Sequence, residues 1–186
     1  MTEPHDHDSP IVRLLREEFA QECQTTRRPL ERLTEDGFSW RPHPKSYTAG
    51  MLAMHIVDCL GWVDDILTSD ELVMDPAAYR PFVAASVPDL LEAFDARAAG
   101  GAARLAQTSE AALLQPWRLV LGGKVRFEKP RLAVFRDFTL NHIIHHRGQL
   151  PCTCVCSRSR CPAATGPPQT SLSNSQVKEI DSCRMH

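Results

Sequence analysis

The segment Val134–Leu150, "VFRDFTLNHIIHHRGQL", decides how the rest of the chain is read. Phe135, Phe138, His142, His146 and Gln149 recur at steps of three and four, so one stripe of a helix carries aromatic rings at one end and imidazoles at the other. His142 and His146 are one turn apart, the spacing by which a single helix offers two nitrogens to one metal ion. Pro130, just upstream, suits the first turn of that helix. His145 is one position off the stripe and falls to the surface or to a supporting place beside the pair.

Outward from this helix, further helical periods appear. Between Ile11 and Leu33 the apolar residues Ile11, Leu14, Leu15, Phe19, Cys23, Leu30 and Leu33 mark a first helix, kinked or divided by Pro29. "WRPHPKSYT" is a polar loop whose two prolines exclude helix until about Thr48. From Thr48 to Leu67, Leu52, His55, Cys59, Trp62 and Ile66 share a face, which puts His55 on a buried stripe. A connection broken by Pro76 and Pro81 leads to a third helix, capped by Ser86, with Asp89 in its first turn and Leu90, Phe94 and Leu105 buried. Gly100 and Gly101 weaken its middle. "WRLVLGGKVRF" alternates on either side of Gly122–Gly123 and reads as a short β-hairpin. Four long helices with short connections predict an all-α protein, an antiparallel four-helix bundle with a small hairpin before the last helix.

Composition narrows the partners. The chain has 186 residues, 42% of them hydrophobic, which suits one domain with a real core. Lys and Arg number 21 against 23 Asp and Glu, a net charge of -2 without a basic run, so neither nucleic acid nor an anionic membrane is an expected partner. The acidic start "MTEPHDHDSP" lacks the apolar core of a secretion signal, and no apolar run approaches the roughly 18 residues of a membrane span, so a cytoplasmic location is expected.

Taken singly, His55 reads as a core histidine and the His142–His146 pair as surface chemistry. Together on two inward faces they read differently. Three unpaired imidazoles are costly to bury, and one divalent cation satisfies all of them, in the place where bundles usually hold such ions. The candidate metal ligands are therefore His55, His142 and His146. Nickel, zinc, iron and copper all suit imidazole. Asp58, Arg147 and Gln149 are candidates for supporting or substrate contacts, and no general base follows from spacing. His43, in the proline loop, and His5, His7 and His186, near the ends, are expected to be solvated.

"WRPHPKSYTAGMLAMHIVDCLGWV" and "VFRDFTLNHIIHHRGQL" resemble the two signature segments of the DinB-like (YfiT-like) metal-binding bundles, and the likeness runs from about Ile11 to Leu150. The resemblance implies an up-down-down-up bundle, often dimeric, with one divalent ion held by His55 on the second helix and His142 and His146 on the fourth. It also implies a family that includes thiol-dependent transferases and isomerases.

Past Leu150 the likeness stops. The family's last helix continues with a segment like "SVYLRLL" and later a motif like "GPTADE", whereas this chain meets Pro151 and then Cys152, Cys154, Cys156, Cys161 and Cys183. The one-residue spacing of "CTCVC" fits neither a zinc pair nor a secreted disulfide framework. Pro151–Ser157 can be encoded CCG TGT ACC TGC GTC TGC TC, which regrouped two bases later reads GTG TAC CTG CGT CTG CTC, Val-Tyr-Leu-Arg-Leu-Leu. Gly166–Ser171, encoded GGC CCA CCG CAG ACG AGT after a final G from Thr165, regroups in the same frame as Gly-Pro-Thr-Ala-Asp-Glu. Residues 151–186 thus read as an out-of-frame tail without a core of its own, following a bundle over 11–150 and a disordered start over 1–10. A cysteine-rich soft-metal tail is the competing reading.

Three functions follow: a metal-dependent hydrolase or thiol-dependent transferase acting with a low-molecular-weight thiol or another small substrate; a non-catalytic metal-binding bundle of a stress response; or a defective product of a frameshifted gene. The resemblance also implies a homodimer as one state of the protein.

Overall fold

The computed structural model describes residues 9–158. Residues 1–8 and 159–186, with the expected disorder of the ends and with His5, His7, His186, Cys161 and Cys183, lie outside the described residues.

Helix α1 spans Pro10–Leu30. Ser9 caps it, its hydroxyl accepting the Val12 N–H at 3.2 Å, and Pro10 occupies the first turn, where a missing N–H costs nothing. Its buried stripe is Val12, Leu15, Phe19, Cys23 and Leu30. Pro29 lies in the last turn, so it closes the helix instead of dividing a longer one, and Leu33 is buried from the following turn. The short helix α2, Glu35–Phe38, was not visible in the sequence pattern.

Helix α3, Ala49–Thr68, begins where the loop prolines release the chain, with Thr48 accepting the Met51 N–H at 3.1 Å. Strand β1, Glu71–Met74, follows. Helix α4, Val87–Gln107, starts at the Ser86 cap, whose hydroxyl accepts the Asp89 N–H at 3.2 Å. It runs unbroken through Gly100 and Gly101. A Cβ at Gly101 would lie 2.8 Å from the Phe19 ring, so the glycine that weakens the helix locally is what lets α1 come close. A short α5, Glu110–Leu114, leads to β2, Pro116–Leu121, and β3, Lys124–Pro130.

The hairpin expected around Gly122–Gly123 is present. Both glycines have positive φ, 55° and 77°, the backbone a tight two-residue connection requires. The sheet is larger than expected, however, because β1 pairs in parallel with β2, Glu71 opposite Arg118 and Met74 opposite Leu121, giving the order β1-β2-β3. Sequence pattern concealed β1, since four residues carry little period and a parallel partner is never close in sequence.

The last helical segment is three pieces: α6, Arg131–Phe135; a π-helical turn, Arg136–Leu140; and α7, Asn141–Arg158. Helix α7 continues past the limit of the family likeness to Arg158, with Pro151 inside it. Pro151 removes one backbone hydrogen bond, yet the helix runs through it.

Pairings fix the directions. Asp58 with Arg97 and Asp64 with Arg104 advance together, so α3 and α4 run parallel. Phe19 against Gly101 and Arg27 with Asp95 make α1 and α4 antiparallel. His55 against His146 and Trp62 against Phe138 do the same for α3 and α7. The core lies between these helices, around Phe19, Ile56, Leu60, Phe94, Phe135 and Ile143, and the sheet packs Trp117 and Leu119 inward at one side. The protein is thus mostly helical with a small three-stranded sheet. Among the described residues no helix is long and apolar enough to cross a membrane.

Candidate metal centre

Two helices build the centre. On α3 the stripe Leu52, Ile56, Cys59 and Val63 is buried, and His55 leaves its edge toward α7. On α7, Ile143 and Leu150 are fully buried, and His142 and His146 turn the same side toward α3. The π-helical turn just before α7 carries one extra residue per turn, which re-phases the stripe: Phe135, above it, packs on Phe19 of α1 at 5.7 Å, while the histidines below it face α3.

His55, His142 and His146 converge, with one nitrogen of each lying within 4.8 Å of the others. His55 Nε2 and His142 Nε2 are 3.1 Å apart, and the ring centroids are separated by 5.0 Å (His55–His142), 4.7 Å (His55–His146) and 4.7 Å (His142–His146). His146 is only 4% exposed, and its Nε2 is buried without a hydrogen-bond partner among the described residues. Its other nitrogen, Nδ1, is 2.8 Å from Gln149 Oε1. An amide oxygen only accepts, so Nδ1 carries the proton and Nε2 presents a bare lone pair to the shared point.

Two of the three rings are held in the neutral form at neutral pH. Burial lowers the His55 pKa to about 4. Burial also lowers His146 to about 4, against the raising effect of its bond to Gln149 and with a smaller lowering from His55 and His145. Neutral imidazoles are the form that ligates metals. The donor set therefore fits a divalent ion: three nitrogen donors, one of them an orphaned buried atom that a cation would satisfy.

The surroundings are mostly aromatic. Trp62 stands 6.1 Å from the His142 ring and 6.0 Å from Phe138, and Tyr47 lies 6.3 Å from His55. On the side of Trp62 that borders the sheet is an open cleft of about 410 Å³, lined in part by Asp58, Asp65, Tyr79 and Arg97.

Of the expected supporting residues, Gln149 is in place. Asp58 is not, because its carboxylate turns away from His55, accepting the Phe82 N–H at 3.0 Å, an Arg97 N–H at 3.0 Å and the Tyr79 hydroxyl at 3.4 Å. Arg147 is not either, since it faces α1, where it pairs with Glu22 and donates to Thr26 Oγ1 at 3.2 Å. His145 is exposed and meets Gln149 Nε2 at 3.1 Å. His43 is exposed as expected, its Nδ1 accepting the Lys45 N–H. Sequence reasoning put Cys59 on the face of His55 but did not count it at the site, where its Sγ lies 4.0 Å from His55 Nε2. The four-residue step from His55 could have shown it. Burial pushes that thiol well up, so it stays protonated.

The sequence profile of the DinB superfamily matches residues 18–150. Among solved structures, a DinB-like protein of Bacillus subtilis, YjoA, is similar at 17% identity with a TM-score of 0.60, covering 84% of this chain and 96% of that one. A DinB-like protein of Bacillus cereus ATCC 10987 is similar at 19% identity with a TM-score of 0.58, covering 79% of this chain and 95% of that one. At these identities the likeness speaks for the fold. No curated protein matches the chain.

Proposed function

The chain belongs to the DinB superfamily, and from that premise we propose that it is a metal protein in which His55, His142 and His146 hold one divalent ion within an up-down-down-up four-helix bundle. The observation that carries this reading is the bare, buried Nε2 of His146, aimed at the point that His55 and His142 share. The four helix directions support the bundle topology.

Three protein ligands leave coordination positions open, as catalytic sites do, and a divalent ion would supply Lewis acidity there. The favoured activity is therefore a metal-dependent hydrolase or a thiol-dependent transferase, with a small molecule or low-molecular-weight thiol as partner. This chain's own contribution is three convergent imidazoles, two of them, His55 and His146, kept neutral by burial, an aromatic wall from Tyr47, Trp62 and Phe138, and the contact of Gln149 with His146 Nδ1. A non-catalytic metal-binding bundle is the second reading. It is favoured by the absence of a carboxylate from the cluster among the described residues, which leaves no evident general base.

Metal analysis and calorimetric titration of the full chain test the proposal, with Cys152, Cys154, Cys156, Cys161 and Cys183 changed to Ser so that only the histidines compete. One equivalent of divalent metal is expected. A folded protein that binds none overturns the reading. Turnover of a thiol adduct then separates the enzyme from the passive bundle. The out-of-frame reading of residues 151–186 stands on the codon regrouping alone. The gene sequence around the Leu150 codon decides it, with a stop soon after the restored base as the refuting result.

A further inference from the structure

Helix α3 carries three aspartates in its second half, and two of them have cationic partners. Asp58 meets Arg97 at 3.0 Å, and Asp64 meets Arg104 at 2.5 Å. The Asp65 carboxylate has neither an ion pair nor a hydrogen bond among the described residues, although it is half-buried in the wall of the 410 Å³ cleft beside Trp62. Burial, and after it the charge of Asp64 next in the chain, raises the Asp65 pKa. The chain thus holds a carboxylate in a concave place with nothing of its own to offset the charge.

The rest of the cleft divides by chemistry. Trp62, Leu72 and Met74 form an apolar side, and the same three side chains line a small recess of about 10 Å³ whose other walls are also apolar, so a water there finds no polar partner. On the polar side, Asp58 and Arg97 cancel each other, and the Tyr79 hydroxyl donates to Asp58. Asp65 and the exposed Asp75 remain as uncompensated charge. We propose that this cleft binds a small organic ammonium ion with an apolar body, its charge against Asp65 and its hydrocarbon against Trp62, Leu72 and Met74.

Other ligand classes fit less well. An anion would meet Asp65 and Asp75, while the Arg97 guanidinium is committed to the Val57 carbonyl and to Asp58. A bare metal ion would leave the apolar side unused, and among the described residues no three acidic side chains of the cleft gather closely enough to hold one. An ammonium ion with a hydrocarbon body uses both sides, and an indole adds its own attraction for a cation. A cleft of this volume is within the usual range for small-molecule sites. The site borders the metal centre through Trp62 but needs no metal.

The test uses the full chain freed of metal with EDTA, titrated calorimetrically with 2-phenylethylamine, with its neutral counterpart 2-phenylethanol, and with methylamine, which has the charge without the body. The amine should bind at one site with a Kd of about 1 mM or tighter, and each of the other two at least about tenfold more weakly. Asp65→Asn should reduce the amine to the affinity of the alcohol and leave the alcohol unchanged. Asp64→Asn, which removes the same charge one residue away, should change amine affinity less than about twofold. Asp65→Asn keeps the side chain's shape and removes a charge that has no partner, so its melting temperature should equal or exceed the parent's. Absence of amine binding, equal binding of amine and alcohol, or equal losses in Asp64→Asn and Asp65→Asn would each overturn the proposal. The comparison of the three titrants on the parent decides the ligand class without any variant, and in metal-free protein its outcome is separate from that of the three-histidine reading.

Discussion

Helix α3 carries two buried polar clusters one turn apart, and they are built on opposite principles. Around Asp58, 7% exposed, every group has found a partner: Phe82 N–H, Tyr79 hydroxyl and the Arg97 guanidinium surround the carboxylate, and Arg97 also donates to the Val57 carbonyl at 2.8 Å and lies over the Phe82 ring. Around His55, three imidazoles bring nitrogens together, and His146 Nε2 has no hydrogen-bond partner among the described residues. Burying an unsatisfied polar atom costs about 1–3 kcal/mol, so the second arrangement needs an explanation that the first does not. A closed network ties the segment after β1 to α3 and α4. An open one is what the proposed metal ion would close.

The sharpest way to break this contrast is to remove a ligand. His146→Ala should weaken divalent metal binding by at least about a thousandfold, on the order of 4 kcal/mol, and abolish the rise in melting temperature that metal gives the parent. Calorimetry and thermal melts with and without zinc check this. Asp58→Ala should do the reverse, costing about 3 kcal/mol of stability in urea unfolding because Arg97 loses its buried partner, while metal stoichiometry stays at one. A loss of metal in Asp58→Ala with stability unchanged would exchange the two roles.

Titration sharpens the contrast further, because the clusters respond to pH with opposite sign. His55 and His146 have folded pKa values lowered to about 4, so between the ordinary histidine value near 6.5 and about 4 the unfolded chain binds more protons. The stability they permit is present above that window and is lost as pH falls through it, by up to about 1.4 kcal/mol per pH unit for each ring. Asp58 is raised, chiefly by burial, with Arg97, the Phe82 N–H and Tyr79 opposing. The folded state therefore takes up its proton first, and Asp58 alone would make the protein more stable as pH falls through its folded value. Metal-free unfolding curves from pH 7 to pH 4 should show the histidine loss, with a shallower slope in His55→Gln. The smallest effect belongs to His43→Ala. This exposed residue should change stability by under about 0.5 kcal/mol and leave metal binding unaltered.

Much of this arrangement was legible in the chain. Ser86 announced its helix because a hydroxyl cap precedes an apolar period, the loop prolines placed the start of the second helix near Thr48, and Gly122–Gly123 announced the hairpin because only glycine adopts both φ values readily. The three histidines were legible because helical spacing assigns a face. Spacing does not assign a partner, which is why Asp58 and Arg147 were placed beside the imidazoles when one faces α4 and the other α1. Nor does it reveal the π-helical turn at Arg136–Leu140, since counting in steps of three and four assumes a regular helix throughout. The continuation of α7 through Pro151 had the same source: the cost of a proline is local, and a sequence rule treats it as a boundary.

Strand β1 sets the order in which the molecule can assemble. Its neighbour in the sheet arrives only after all of α4 and α5, and the Glu71–Arg118 ion pair joins residues 47 apart in sequence. The β2–β3 hairpin can zip locally within microseconds, but β1 must wait for a long loop to close. During synthesis Glu71–Met74 emerges tens of residues before anything can pair with it, and for that interval the nascent chain displays an unpaired strand edge ahead of a helix still being made. The β1–β2 pairing therefore adds a non-local contact to a chain otherwise built mostly of helix, the kind of contact that raises contact order and slows folding.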